Sequence, residues 1–259
     1  MPIRAADYDH YFNWTMSYKL DSDIQLLYGR IEPKTDSLTM GQEEREQLER
    51  QNRQARRHGR ISRMGKRRPV VWMASHCPTS GRREDYVREL SRYMQVDIYG
   101  ECGDGTLSCP RNASHWLSET YCYDLIEETY LFYLSFENSI CRDYVTEKFF
   151  LLLQRRIVPV VYGGADYERL APPHSFIDAR KFTPESLAVY LKQLSANPSL
   201  YEAYFSWKDR YTVQAGVEQM ARHAFCHLCW KLHADTTAKV YHSLHPQWSS
   251  QTQCLDVSA

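Results

Sequence analysis

The chain has 259 residues, with 32 Lys and Arg against 32 Asp and Glu and a formal net charge of zero. That length allows one large domain or two small ones around a substantial core, and the balanced charge gives no global attraction to nucleic acid or to an anionic membrane surface. No apolar run reaches the length that spans a bilayer, and the first residues do not read as a signal peptide.

Tyr11 to Tyr18 reads as a short strand, and Asp21-Ser22-Asp23-Ile24 as a turn back toward Tyr28-Gly29. Residues 35–68 are charged, acidic first (Glu43, Glu44, Glu46, Glu49) and basic later (Arg50, Arg53, Arg56, Arg57, Arg60). That gradient matches a helix dipole, and Glu46 with Arg50 has helical i,i+4 spacing. The stretch has little to bury, so it predicts a solvated helical linker between two lobes. A nucleic-acid patch there would lack the aromatic interleaving that stacks bases.

Pro69 to Ser75 predicts a strand, His76 to Gly81 the loop at its carboxyl end, and Arg83 to Tyr93 a helix. Val96 to Gly100 is the next strand. The loop has no G-x-G-x-x-G pattern, so a dinucleotide fingerprint is missing. Cys102 and Cys109 lie close in a Gly-rich loop where a local disulfide fits. Eight cysteines and two acceptor sequons, at Asn13 and Asn112, lean toward an oxidising compartment.

Tyr121 to Glu128 has helix character and leads into Tyr130–Phe136, a run of strand formers. Glu137-Asn138-Ser139 is polar punctuation. A helix is predicted from about Tyr144 to Arg156, its basic end at the negative pole of the dipole. Ile157 to Tyr162 is a β-branched run closed by Gly163-Gly164. Strand, loop, helix and strand in that order build a parallel sheet. Further on come a helical turn at Tyr167 to Leu170, an edge strand at Ser175 to Asp178, and a helix from Thr183-Pro184 to Leu194. Another helix starts at Asn197-Pro198 and carries Tyr201, Tyr204, Phe205, Trp207 and Tyr211 as core aromatics. A last helix after Gly216 holds Cys226-His227-Leu228-Cys229. With His223 and His233 this invites a zinc reading, but no second ligand pair has the usual spacing, which favours a disulfide or partner-seeking thiols. The polar tail has Cys254 as a candidate tether.

In open α/β sheets ligands sit outside the carboxyl ends of the strands. Asn138, Tyr144, Thr146, Glu147 and Lys148 fall there, where free backbone N–H groups favour a phosphate. Lys148 opposes the dipole in a first helical turn, so an anionic partner is expected. The same residues also read as a capped, solvated helix start.

Phe136-Glu137-Asn138-Ser139, a short spacer, and Tyr144-Val145-Thr146-Glu147-Lys148 resemble the signature of the α-1,3-fucosyltransferases, glycosyltransferase family ten. The resemblance continues through Val158-Pro159-Val160-Val161 and Tyr167-Glu168-Arg169. Phe12-Asn13-Trp14-Thr15-Met16-Ser17-Tyr18 is similar to a family segment too, with Lys19 where the family usually has Arg. The resemblance implies an α/β, two-lobed GT-B enzyme and an N-terminally truncated member of a type II Golgi membrane family, its catalytic part lumenal. Residues 1–34 would be a remnant of the acceptor-side lobe, 35–68 the linker, 69–244 a Rossmann-like GDP-fucose-binding domain, and 245–259 the tail. The implied reaction is transfer of fucose, with inversion, from GDP-fucose to a GlcNAc hydroxyl of a glycoprotein glycan. Whether that glycan is an N-glycan core or a Lewis-type antenna stays open, as does a catalytically incomplete donor-binding fragment.

For the donor, the resemblance implies contacts from Arg83, with Arg82 as its neighbouring candidate, and from Asn138, Tyr144, Glu147 and Lys148. An inverting transfer needs a general base. In the family this is a Glu in a Glu-Ser-Pro context; Asp7, Asp9, Asp21, Asp23 and His10 have no such setting, so no base is assigned. No Asp-x-Asp closes a strand, which leaves the diphosphate to cationic side chains, with a manganese requirement open.

Overall fold

The apolar runs fold as nine strands and seven helices in a computed structural model that describes residues 8–34, 68–108, 115–243 and 254–255, with backbone only at 115–121. The strands are β1 (Met16–Ser17), β2 (Ile24–Gln25), β3 (Gly29–Pro33), β4 (Arg68–Met73), β5 (Val96–Tyr99), β6 (Tyr130–Phe136), β7 (Val158–Tyr162), β8 (Ile177–Asp178) and β9 (Tyr211–Ala215). The helices are α1 (Arg83–Leu90), α2 (His115–Thr129), α3 (Glu147–Leu153), α4 (Tyr167–Leu170), α5 (Pro184–Ala196), α6 (Pro198–Ala203) and α7 (Val217–Ala234). The expected linker helix, Cys109, the sequon at Asn112 and most of the tail lie outside the described residues.

Strands β4 to β8 form one parallel sheet in the order β5-β4-β6-β7-β8. Every residue of β6 is buried, as a strand covered by helices on both faces requires. On one face Val70, Trp72, Phe132 and Leu134 pack against Val87 and Leu90 of α1 and Leu187 and Leu191 of α5. On the other, Val71 and Tyr133 meet Tyr123 and Ile126 of α2 and Leu152 of α3. Each such side chain contributes roughly 1.5–3 kcal/mol by leaving water. The Thr183 side chain caps α5 in a reciprocal bond with Ser186, and Pro184 opens the helix. The result is a Rossmann-like, doubly wound domain. Its strand order reverses between β4 and β6, so the crevice at the sheet's carboxyl edge opens there.

Three local readings change. The helix expected from Tyr144 runs only from Glu147 to Leu153, because Thr146 is extended and its hydroxyl is engaged by Glu137. Tyr211, expected to continue an aromatic helix, begins β9, which pairs antiparallel with β3 from Gly29↔Ala215 to Pro33↔Tyr211. Cys102 bonds not Cys109 but Cys77, because β4 and β5 are neighbours and carry the loops that follow them to a Cα separation of 5.9 Å.

The β3–β9 pair joins residues 8–34 to the α/β body. Ile31 and Val213 pack with Phe149 and Phe150 of α3. Further along, the Tyr241 amide donates to the Phe12 carbonyl at 2.8 Å, and the Tyr241 hydroxyl donates to Asp23 at 2.7 Å. A Cβ on Gly29 would come within 2.3 Å of Phe150 Cγ. Gly29→Ala therefore should destabilise the fold by about 1–3 kcal/mol, read as a lower urea midpoint.

Lys208 turns its amine inward to donate to the Leu153 carbonyl, beside the Trp207 ring. Burial, reinforced by the Arg156 charge, pushes that amine down to about 7. The unfolded chain then holds one proton more than the folded chain from about pH 7 up to the ordinary lysine range. Stability rises with pH in that window, by at most about 1.4 kcal/mol per unit for one proton. Urea unfolding between pH 7 and 9 should show this slope, and Lys208→Met should flatten it.

Candidate functional site

At the carboxyl ends of β4 and β6 the chain leaves the sheet in two loops, residues 74–82 and 137–146, that are bonded to each other. The Gly81 amide donates to the Asn138 carbonyl at 2.8 Å. The Ser80 and Ser139 hydroxyls lie 2.8 Å apart. Gly81 must be glycine-sized, since a Cβ would meet the Asn138 carbonyl oxygen at 2.9 Å. Glu84 accepts from both the amide and the hydroxyl of Thr79, at 2.8 and 2.9 Å, which fixes the first loop against α1.

Arg83, expected to contact the donor, lies beneath these loops and is only 2% exposed. Its guanidinium donates to the Phe136 carbonyl at the end of β6, at 2.6 Å, and to the His76 carbonyl in the first loop, at 3.1 Å. Burial lowers its pKa and the nearby Glu137 charge opposes that shift. Its Nε is buried without a hydrogen-bond partner, so the guanidinium keeps a donor beyond the two carbonyl bonds. The exposed guanidinium is that of Arg82, which bonds Asp85 at 2.7 Å.

The other expected residues gather around Glu137. This carboxylate is fully buried, directly after β6. It accepts from the Thr146 amide at 2.8 Å and from the Thr146 hydroxyl at 2.9 Å. Lys148 donates to the Thr146 hydroxyl at 3.0 Å and to Glu147 at 2.8 Å, and its ammonium stands 3.9 Å from Glu137. The anionic partner expected for Lys148 is thus a pair of carboxylates, one buried and one on the rim. Burial raises the Glu137 pKa, and Lys148 with the two Thr146 bonds works against that rise.

Tyr144 sits in the loop, half-buried, with its ring edge-on to Tyr18 at 5.2 Å. Burial and then the Glu137 charge push its hydroxyl up to about 12. The Asn138 side-chain oxygen is buried without a hydrogen-bond partner. Residues from the N-terminal segment complete the wall: Asp143 accepts from the Leu20 amide at 3.3 Å, and the Tyr28 hydroxyl is raised by burial and then by the charge of Glu147. Cys141 is disulfide-bonded to Cys254, which ties the C-terminal tail to this loop.

Sequence reasoning missed Glu137 as a site residue and missed the tyrosines Tyr18 and Tyr28. A carboxylate immediately after a strand apolar but for Ser135 was the readable signal for the first; nothing local signalled the other two. Cys226 and Cys229 are exposed free thiols on α7, so the disulfide reading of that pair gives way. Among the described residues no three His, Cys, Asp or Glu side chains are grouped to hold a metal ion. A groove of about 540 Å³ lies along the β8 edge, lined by Glu168, His174, Asp178 and Lys181 among others, and shares no residue with the Glu137 cluster.

The family model described as Glycosyltransferase family 10 (fucosyltransferase) C-term matches residues 63–248. Alpha-(1,3)-fucosyltransferase C of Drosophila melanogaster is 38% identical over 251 residues, covering 95% of this chain and 56% of that protein. Glycoprotein 3-alpha-L-fucosyltransferase A of the same fly is 33% identical over 249 residues, covering 93% and 44%. A solved α1,3-fucosyltransferase with GDP-fucose superposes with a TM-score of 0.49 at 21% identity, covering 67% of this chain and 50% of that one. The chain spans about half the length of the curated relatives it matches. With the family match covering most of the chain, this protein belongs to glycosyltransferase family 10, the fucosyltransferases.

Proposed function

We propose that this chain supplies the donor half of an α-1,3-fucosyltransferase, which moves fucose with inversion from GDP-fucose to a GlcNAc hydroxyl of a glycoprotein glycan. The observation that carries the proposal is the Lys148 ammonium. It is held between Glu137 and Glu147 at the point where the strand order reverses, and its side chain remains 21% exposed. A sugar diphosphate needs cationic hydrogen-bond donors there, because charge grows on the leaving group as the glycosidic bond breaks. Lys148 meets that charge. Glu147, whose side chain is 41% exposed, accepts from the sugar hydroxyls and faces the positive character that develops at the anomeric carbon. Tyr144 and Asn138 orient the donor from the same loop.

The Cys77–Cys102 and Cys141–Cys254 disulfides suit the oxidising lumen of the secretory pathway, and the Golgi is the proposed residence. No helix among the described residues is long and apolar enough to cross a membrane. A competing reading, favoured by the unassigned general base, is a chain that binds the donor without transferring it. A transfer assay with GDP-fucose and a GlcNAc-terminated glycopeptide decides: fucosylated product establishes the enzyme, and donor binding without product establishes the binder.

Lys148→Ala should weaken GDP binding by about 1.5–3 kcal/mol, measured by titration calorimetry, through loss of a charged hydrogen bond. Unchanged affinity would remove Lys148 from the site. Arg83→Met should act differently, stranding the Phe136 and His76 carbonyls. The expected result is a loss of about 1–3 kcal/mol in urea unfolding free energy. Undiminished stability with weakened GDP binding would instead make Arg83 a direct donor contact.

A further inference from the structure

We propose that Glu137 is a positioning residue: working through the Thr146 hydroxyl, it fixes the Lys148 ammonium at the mouth of the crevice. This rests on the diphosphate reading of the site and adds a residue to it. The backbone of Glu137 is itself fixed, since its amide donates to the Tyr162 carbonyl at 2.9 Å and so extends the β6–β7 ladder by one bond. Its side chain packs close to the Gly163 backbone, where an added Cβ would come within 3.3 Å of Glu137 Cγ.

The hydrogen bonding has a defined direction. Thr146 has one hydroxyl proton, and the carboxylate oxygens lie 2.9 and 3.1 Å away as acceptors. The hydroxyl lone pairs are then left to accept from Lys148 at 3.0 Å. Lysine donates to threonine and threonine to glutamate, so the ammonium is located by a group that solvent does not reach. A buried carboxylate is costly unless its bonds and a counter-charge compensate it. Here Thr146 supplies the bonds and Lys148 the charge.

Glu147 also binds Lys148, but from the rim, where water competes. The two carboxylates can therefore divide the work. When a donor arrives, Glu147 is free to exchange its lysine bond for sugar hydroxyls, while the Glu137–Thr146 pair keeps the ammonium in place for the second phosphate.

The test is a double-mutant cycle on the full chain with GDP and GMP as probes, read by calorimetry. Glu137→Gln preserves shape and an acceptor for the Thr146 amide but removes the charge that orients the hydroxyl and the ammonium. It should weaken GDP about tenfold and leave GMP within about twofold, and in a Lys148→Ala background it should add less than about twofold to the GDP loss. A Glu137→Gln protein that binds GDP as well as or better than the parent, or that loses as much in the Lys148→Ala background, overturns the proposal. If Glu137→Gln does not fold, Thr146→Val breaks the same relay and should show the same selective loss of GDP over GMP; equal losses of both nucleotides overturn it. If Lys148→Ala alone leaves GDP binding unchanged, the diphosphate reading fails first, which separates that failure from one confined to Glu137.

Discussion

The shape of the site depends on a single buried guanidinium. Arg83, the first residue of α1, reaches one carbonyl in the loop after β4 and one at the end of β6, on either side of the reversal of strand order. Loops that leave neighbouring strands carry backbone groups that need partners once buried. A guanidinium has the donors in a fixed fork to satisfy both at once, which an ammonium on a flexible stem does less well. The Ser80, Gly81, Asn138 and Ser139 contacts above it then lock the loop tips together.

The burial of Arg83 is tied to the burial of Glu137. One guanidinium bond goes to the carbonyl of Phe136, the residue before Glu137, and the two charges offset each other across the end of β6. The two are not paired with each other, and the ion pair of Glu137 is the longer one to Lys148 at 3.9 Å. Each is held by dipoles and hydroxyls, with the opposite charge close enough to matter in a medium that screens weakly. From this pair outward the site grades into solvent, through Thr146 and Lys148 to Glu147 at the rim.

Much of this was legible in the sequence, and the legible parts share a physical character. The strand at Tyr130–Phe136, the helix opened by Thr183-Pro184 and the parallel sheet all follow from local periodicity and capping, where neighbours within a few residues decide the outcome. The opposite anion for Lys148 was readable for the same reason, from a charge placed against a helix end. What was not legible is long-range. The pairing of Gly29–Pro33 with Tyr211–Ala215 joins segments about 180 residues apart, and the aromatic spacing of Tyr211 gives equal support to a helix until its partner is known. The Cys77–Cys102 bond follows from strand adjacency, not from closeness in the chain. The burial of Arg83 was not readable either, since an arginine at a helix start carries no sign of which way it faces.

The N-terminal segment shows why depth and reach matter for chemistry. Its strand β3 lies on α3 only because Gly29 presents no side chain to Phe150, and α3 is the helix whose first residues are Glu147 and Lys148. Tyr18 and Tyr28 then stand against Tyr144 and the Glu137 cluster, with Asp143 bonded back to Leu20. The wall opposite the sheet edge is thus built from residues more than 100 positions away from the loop they enclose. Substitutions in 8–34 should therefore reach the donor loop through packing on α3, and the low dielectric they create is what lets one lysine, located by one buried carboxylate, matter at this site.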